Sequence, residues 1–276
     1  MNSRDRILFE SDGVSVRGVD FERGLAAVGV REGDALFVHS DIAMFGKLSI
    51  KNRTCLLESI CAALFGSVGQ NGTVIMPTFT YSFCKGELYD VENSPSTVGV
   101  LTEYFRQRSD VVRTDHPLFS AAIWGCEKEW YLDIGIDSFD DRSIFGKLRE
   151  RKGKLVFLGT PFDQACTYVH HIEQMHGVPY RYTKSFSGAV RAGGEMRAGS
   201  CTYYVRDLAL DPQTDLGAFH RYLCETGLLQ ESQVGHGRIA SVQAAALYEV
   251  GRRFLSDNVH GFLRRQTNAM SVLQER

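Results

Sequence analysis

Thr167, His170 and Glu173 lie at spacings of three within LVFLGTPFDQACTYVHHIEQMH, residues 155–176. If a helix starts near Cys166, residues three apart are surface neighbours, and the hydroxyl, imidazole and carboxylate form one slanted row. Such a row suits proton transfer, because an imidazole titrates near neutrality and a carboxylate can orient it. The bland alternative is an ordinary helix-surface pair, worth ~0.2–0.5 kcal/mol. A second reading takes His170, His171, Glu173 and His176 as metal ligands. Adjacent histidines diverge by about 100° on a helix, and the H-E-x-x-H order of zinc proteases is absent, so no metal is expected. A third takes Cys166 as a nucleophile, but its apolar neighbours favour packing.

The elements that must position these residues follow an α/β rhythm. A helical pattern runs from Asp20 to Val30, with Asp20 as N-cap. ALFVH, ending at His39, reads as a buried strand, Arg53 to Phe65 as an amphipathic helix, and TVIM, stopping at Pro77, as another strand. Phe79 to Pro95 reads as an aromatic surface loop and Ser96 to Gln107 as a helix. VVRTDHPLFS is extended and carries Arg113, His116 and Ser120, and AAIWG continues it as a strand. Ser143 to Arg149 is a short helix before the strand at Leu155. Tyr180 to Asp207 reads as a β-hairpin around Gly193-Gly194. Helices are expected near Asp215 to Thr226 and Ser241 to Leu255, with a loose polar tail after Phe262. The rhythm implies an α/β sandwich, in which ligands gather at the carboxyl ends of strands. His39-Ser40 and Pro77-Thr78 occupy two such ends. With no repeat or linker, residues 1–276 read as a single domain with a β-hairpin insertion.

Bulk composition narrows the function. The chain has 276 residues, 43% of them hydrophobic, and a net charge of −2. That gives no signal for nucleic acid or an anionic membrane. The polar N-terminus lacks the apolar core of a secretory signal, and no stretch is long enough to span a bilayer. Seven scattered cysteines, among them Cys55, Cys61 and Cys126 in apolar runs, read as packed, reduced thiols of a cytoplasmic protein.

FVHSDIAMFG, TVIMPTFT, VVRTDHPLFS, SIFGKL, LVFLG and T-x-x-H-x-x-E stand here in the order found in the antibiotic N-acetyltransferases, the aminoglycoside 3-N-acetyltransferase family. The chain resembles that family from about Phe21 to Glu173 and more weakly beyond. The resemblance implies a three-layer α/β/α sandwich with a mixed sheet, and transfer of an acetyl group from acetyl-CoA to a sugar amine. By resemblance His170 is the catalytic base and Glu173 its partner. His39, Ser40, Thr78, Arg113, His116, Ser120 and Thr167 are then expected along the coenzyme A and acyl site. Ser40 is also a candidate oxyanion donor, a role worth roughly 2.7–4 kcal/mol. Arg113 and Lys147 could grip coenzyme A phosphates. Each has a structural reading too: His39 as a strand-end hydrogen-bonder, His116-Pro117 as a turn, Ser120 as a strand-start hydroxyl, Arg113 as an internal pair.

The acceptor is read from charge. After the catalytic helix, VPYRYTKSFSGAVRAGGEMR carries Arg181, Lys184, Arg191 and Arg197 against Glu195. Lining a cleft, these would repel a polycation and favour an anionic acceptor, an amino sugar carried on a nucleotide diphosphate. The alternative is an aminoglycoside, with the basic residues facing solvent. The exposed hairpin and apolar helices leave room for a homodimer.

Overall fold

The computed structural model describes residues 3–264. Its centre is a seven-stranded mixed sheet in the spatial order Gln230–Val234, Gly237–Gln243, Lys154–Leu158, Ala35–Ser40, Thr73–Pro77, Ala121–Gly125 and Val112–Arg113. Ala35–Ser40 pairs in parallel with both of its neighbours. The other pairings are antiparallel. The middle strands are largely apolar because both faces are covered.

Side-chain alternation sorts the core into two layers. Leu36 and Val38 pack with Phe21, Leu56 and Leu101, from the helices Gly18–Ala27, Arg53–Val68 and Val100–Arg106. Ala35 and Phe37 pack on the other face with Phe145, Val169, Phe219 and Leu247, from Ile144–Glu150, Val169–His176, Gly217–Glu225 and Ala244–Asp257. The architecture is the three-layer α/β/α sandwich expected from the sequence.

A long hairpin, Arg181–Ala192 with Glu195–Arg206, follows the helix Val169–His176. Its turn is Gly193-Gly194, both at positive φ, where a side chain would be strained. Val190 and Arg191 pair with Tyr89 and Asp90.

Several local expectations are corrected. Asp20 is not the N-cap: the first helix starts at Gly18, and Asp20 accepts the Arg17 backbone N–H from within the first turn, at 2.7 Å. The helix expected from Ser96 begins at Val100. Phe79, Phe83 and Tyr89 are buried, so their loop is a packed element. Ser241 belongs to a strand, and the last helix begins at Ala244. Two features have no counterpart in the sequence reading: the small sheet Ile7–Ser11, Val14–Arg17 and Lys47–Leu48, and the edge hairpin Gln230–Val234 with Gly237–Gln243. Cys61, Cys166 and Cys201 are buried as expected of packed thiols, whereas Cys126 is exposed. The polar tail after Phe262 lies outside the described residues beyond 264. No helix among the described residues is long and apolar enough to cross a membrane.

Candidate active site

Chain geometry around Glu173 follows from breaks in the sequence. Lys154–Leu158 ends at Gly159, at positive φ, where a Cβ would collide with the Asp41 carbonyl. Pro161 precedes a single helical turn, Phe162–Ala165. The chain then breaks at Cys166–Tyr168 and restarts as Val169–His176. Thr167 therefore stands outside the helix, not in a row with His170 and Glu173. Gly177, in the left-handed conformation, ends the helix and turns the chain back. That reversal sets Tyr180 and Arg181 against the side chain of Glu173.

His170 Nδ1 lies 2.7 Å from Glu173 Oε2. The Tyr180 hydroxyl donates to Glu173 Oε1 at 3.0 Å. Arg181 Nε is 2.9 Å from Glu173 Oε2, a charge contact without hydrogen-bond alignment, and Arg181 Nη2 is 3.1 Å from His170 Nδ1. Arg181 also donates through Nη1 to the Tyr204 carbonyl at 3.1 Å. Glu173 is fully buried, whereas the His170 side chain is 22% exposed. Burial alone would raise the Glu173 pKa; the hydrogen bond from His170 and the charge of Arg181 outweigh it, and the carboxyl is held below its ordinary value. For His170, burial and then Arg181 lower the pKa, while Glu173 opposes them, and the net direction is down.

A cleft of about 280 Å³ opens beside His170, lined also by Asp163, Thr167, Arg181, Tyr203 and Arg206. Asp163 Oδ1 is 3.8 Å from His220 Nδ1. Arg206 is exposed and donates to the Pro212 carbonyl at 3.3 Å. The loop that brings Thr214 and Leu216 to the cleft also holds Asp207, Asp211 and Asp215. Of the residues expected from sequence, His170 and Thr167 face the cleft, with Glu173 directly behind.

The remaining candidates sit elsewhere. Arg113 Nε donates to Thr78 Oγ1 and Ser120 Oγ at 3.1 and 3.2 Å. Its other nitrogens reach the carbonyls of Val91, Ser94 and Thr78 at 3.1, 2.6 and 2.7 Å. Thr78, Ser120 and Arg113 thus form an internal knot with every guanidinium nitrogen engaged. Buried His116 accepts through Nδ1 from the Phe119 N–H at 3.0 Å, which fixes the turn after Pro117, and burial drops its pKa to about 4. Lys147 is drawn inside to the Trp130 carbonyl at 2.8 Å and Asp133 at 3.2 Å, away from the cleft. His39 stacks on Phe157, on the His170 face of the sheet; burial drops its pKa to about 3, and its Nε2 is buried without a partner. Ser40, one residue on, leaves the strand on the opposite face, and its buried Oγ has no partner either. His171 turns inward to the Phe139 carbonyl, and among the described residues no three His, Cys, Asp or Glu side chains are placed to hold a metal ion.

Helical spacing does not reveal Arg181 and Tyr180 as partners of Glu173; the sequence signal for them is the short Gly177-Val178-Pro179 connection, which turns the chain back at the helix end.

A layered sandwich with an imidazole–carboxylate pair at the mouth of a cleft has the form of an enzyme that takes a proton from a nucleophile. The sequence profile of the aminoglycoside 3-N-acetyltransferase family matches residues 37–256, and the chain belongs to that family. It is thereby a coenzyme A-dependent N-acyltransferase with acetyl-CoA as cosubstrate. Aminoglycoside N(3)-acetyltransferase IV of a Salmonella species is 29% identical over 237 residues, covering 83% of this chain and 85% of its own. The SPbeta prophage-derived aminoglycoside N(3')-acetyltransferase-like protein YokD of Bacillus subtilis strain 168 is 25% identical over 181 residues, covering 57% and 64%. Among solved structures, the aminoglycoside acetyltransferase AAC(3)-IVa apoenzyme matches with a TM-score of 0.74 at 24% identity, covering 91% of this chain and 92% of that one. The AAC-IIIb binary complex with CoASH matches with a TM-score of 0.74 at 22% identity, covering 87% and 96%.

Proposed function

We propose that this chain, acting as one acetyltransferase domain, moves the acetyl group of acetyl-CoA directly onto an amine of an aminoglycoside, with His170 as general base. The observation that carries the reading is the contact between buried Glu173 and His170, whose ring opens on the cleft. With Nδ1 engaged by Glu173, Nε2 is left to accept the proton of the attacking amine. The amine nitrogen bonds to the thioester carbonyl carbon, the tetrahedral intermediate collapses, and the C–S bond breaks. The proton returns from His170 to the departing thiolate, giving CoASH and the acetamide. Glu173 stabilises the transient imidazolium.

At the cleft, Arg206 suits the cosubstrate: among the described residues only its Nη1 is engaged, by the Pro212 carbonyl, which leaves its other nitrogens for a phosphate oxygen.

The charge argument for a nucleotide-linked acceptor gives way on structural grounds. Arg181 is buried on Glu173, Arg191 lies 3.4 Å from Asp90, and Arg197 is paired with Asp115. Paired in this way, these three present little net positive field to an acceptor, and Lys184 lies over the Phe186 ring, outside the cleft lining. Asp163 lines the cleft without an ion pair to Lys or Arg among the described residues, and an acid there suits a cationic acceptor. Both curated relatives carry aminoglycoside N-acetyltransferase names. The test is thiol release from acetyl-CoA with aminoglycosides and with nucleotide-linked amino sugars offered separately. The reading expects turnover with aminoglycosides; turnover only with the nucleotide-linked sugars would replace it.

A further inference from the structure

We propose that Arg181 is a positioning residue for the base: wedged between Glu173 and His170, it holds the carboxylate by its charge against Nδ1 and leaves Nε2 as the proton-accepting nitrogen. This rests on the reading of His170 as base.

The geometry decides the tautomer. Glu173 Oε2 stands 2.7 Å from His170 Nδ1, and Arg181 Nη2 stands 3.1 Å from the same nitrogen. If Nδ1 bore no proton, it could accept from Arg181, but two lone pairs would then face each other across the shorter contact. If Nδ1 bears the proton, it donates to Glu173, and Arg181 acts on the ring by its charge alone. The shorter contact therefore fixes the Nδ1–H form.

Arg181 cannot swing away. Its side chain is 2% exposed, and Nη1 is held by the Tyr204 carbonyl at 3.1 Å. Tyr180 fixes the other carboxylate oxygen at 3.0 Å. The groups facing His170 are Glu173 on its own helix, Arg181, Tyr203 and Arg206 from the hairpin, Asp163 across the cleft and the Phe139 ring at 5.4 Å. A buried carboxylate alone would make the imidazole too ready to stay protonated. Burial first, and the fixed guanidinium after it, offset that pull and leave the His170 pKa lowered.

The test compares wild type, Arg181→Lys and Arg181→Met, reading kcat/KM from pH 5 to 9 with acetyl-CoA and an aminoglycoside that the wild type acetylates. Histidine ¹⁵N NMR of the unmodified protein runs beside it. In Arg181→Met the acid limb should move up by about one pH unit, a roughly tenfold loss below the limb that shrinks as pH rises. Arg181→Lys should restore much of the wild-type position. The NMR spectrum should show neutral His170 as the Nδ1–H tautomer, titrating below an ordinary histidine. An unmoved limb with equal loss at every pH would reduce Arg181 to a structural role. A wild-type Nε2–H tautomer would overturn the proposal even if the Met variant does not fold. Wild-type turnover by His170→Ala would instead remove the base reading itself, separately from either result.

Discussion

Two arginines lie inside this molecule near the strand ends, and they do different work because their acceptors differ. Arg113 is surrounded by hydroxyls and carbonyls, from Thr78, Ser120, Val91 and Ser94, with the Tyr89 ring 5.3 Å away. Arg181 is set against a carboxylate and an imidazole. The first cluster closes on itself: Thr78 and Ser120 are fully buried. The second keeps one ring nitrogen for the cleft. An ionic group held by neutral acceptors ties loops to strands; one held by titratable partners alters their proton affinity. The same residue type therefore serves structure at half-buried Arg113 and, on the proposed reading, chemistry at buried Arg181.

Substitutions can break this contrast. Glu173→Gln should give the largest effect, a loss of roughly 10²–10⁴-fold in kcat with the fold retained, because the ring loses the carboxylate that orients it and stabilises its charged form. Steady-state kinetics beside circular dichroism checks it. Arg113→Met should do the reverse. It strands the buried acceptors of the knot and costs roughly 3 kcal/mol or more in urea unfolding, while kcat per folded molecule stays near wild type. A kcat loss without loss of stability would place Arg113 in the active site after all.

Acid should expose the buried histidines. His39 is held at about 3, and His116 and His171 at about 4, each first by burial. All three fold neutral but take up protons near pH 6.5 when unfolded. Their contribution is therefore fully present above pH 6.5 and is lost as pH falls toward 4, at about 1.4 kcal/mol per pH unit for each. His116→Gln should remove one share of that slope in unfolding measured at pH 7 and pH 5. Smallest of all, Arg191→Gln and Arg197→Gln break partly exposed pairs and should cost under about 1 kcal/mol, with no change in acceptor preference. A switch in preference would revive the basic-cleft reading.

What was legible in the sequence was local. His170 and Glu173 could be found because their spacing is a helical one, and the middle strands because ALFVH, TVIM and LVFL are apolar runs. Thr167 was misplaced because the break at Cys166–Tyr168 leaves helical spacing intact in the text while removing it from the chain. Gln230–Val234 and Gly237–Gln243 look polar on their own and become strands through pairing with Lys154–Leu158. Leu8 and Phe9, adjacent and both fully buried, defeat an alternation rule. The charge of the hairpin misled because Asp90 and Asp115, which pair with Arg191 and Arg197, come from a distant part of the chain. Local counting sees the cations and not their partners.

The central claim is that the His170–Glu173 pair deprotonates the acceptor amine. The most direct measurement is thiol release from acetyl-CoA with an accepted aminoglycoside, for wild type and His170→Ala at matched folded concentration. The wild type should turn over, and the variant should lose roughly 10²-fold or more. Undiminished turnover by His170→Ala would contradict it.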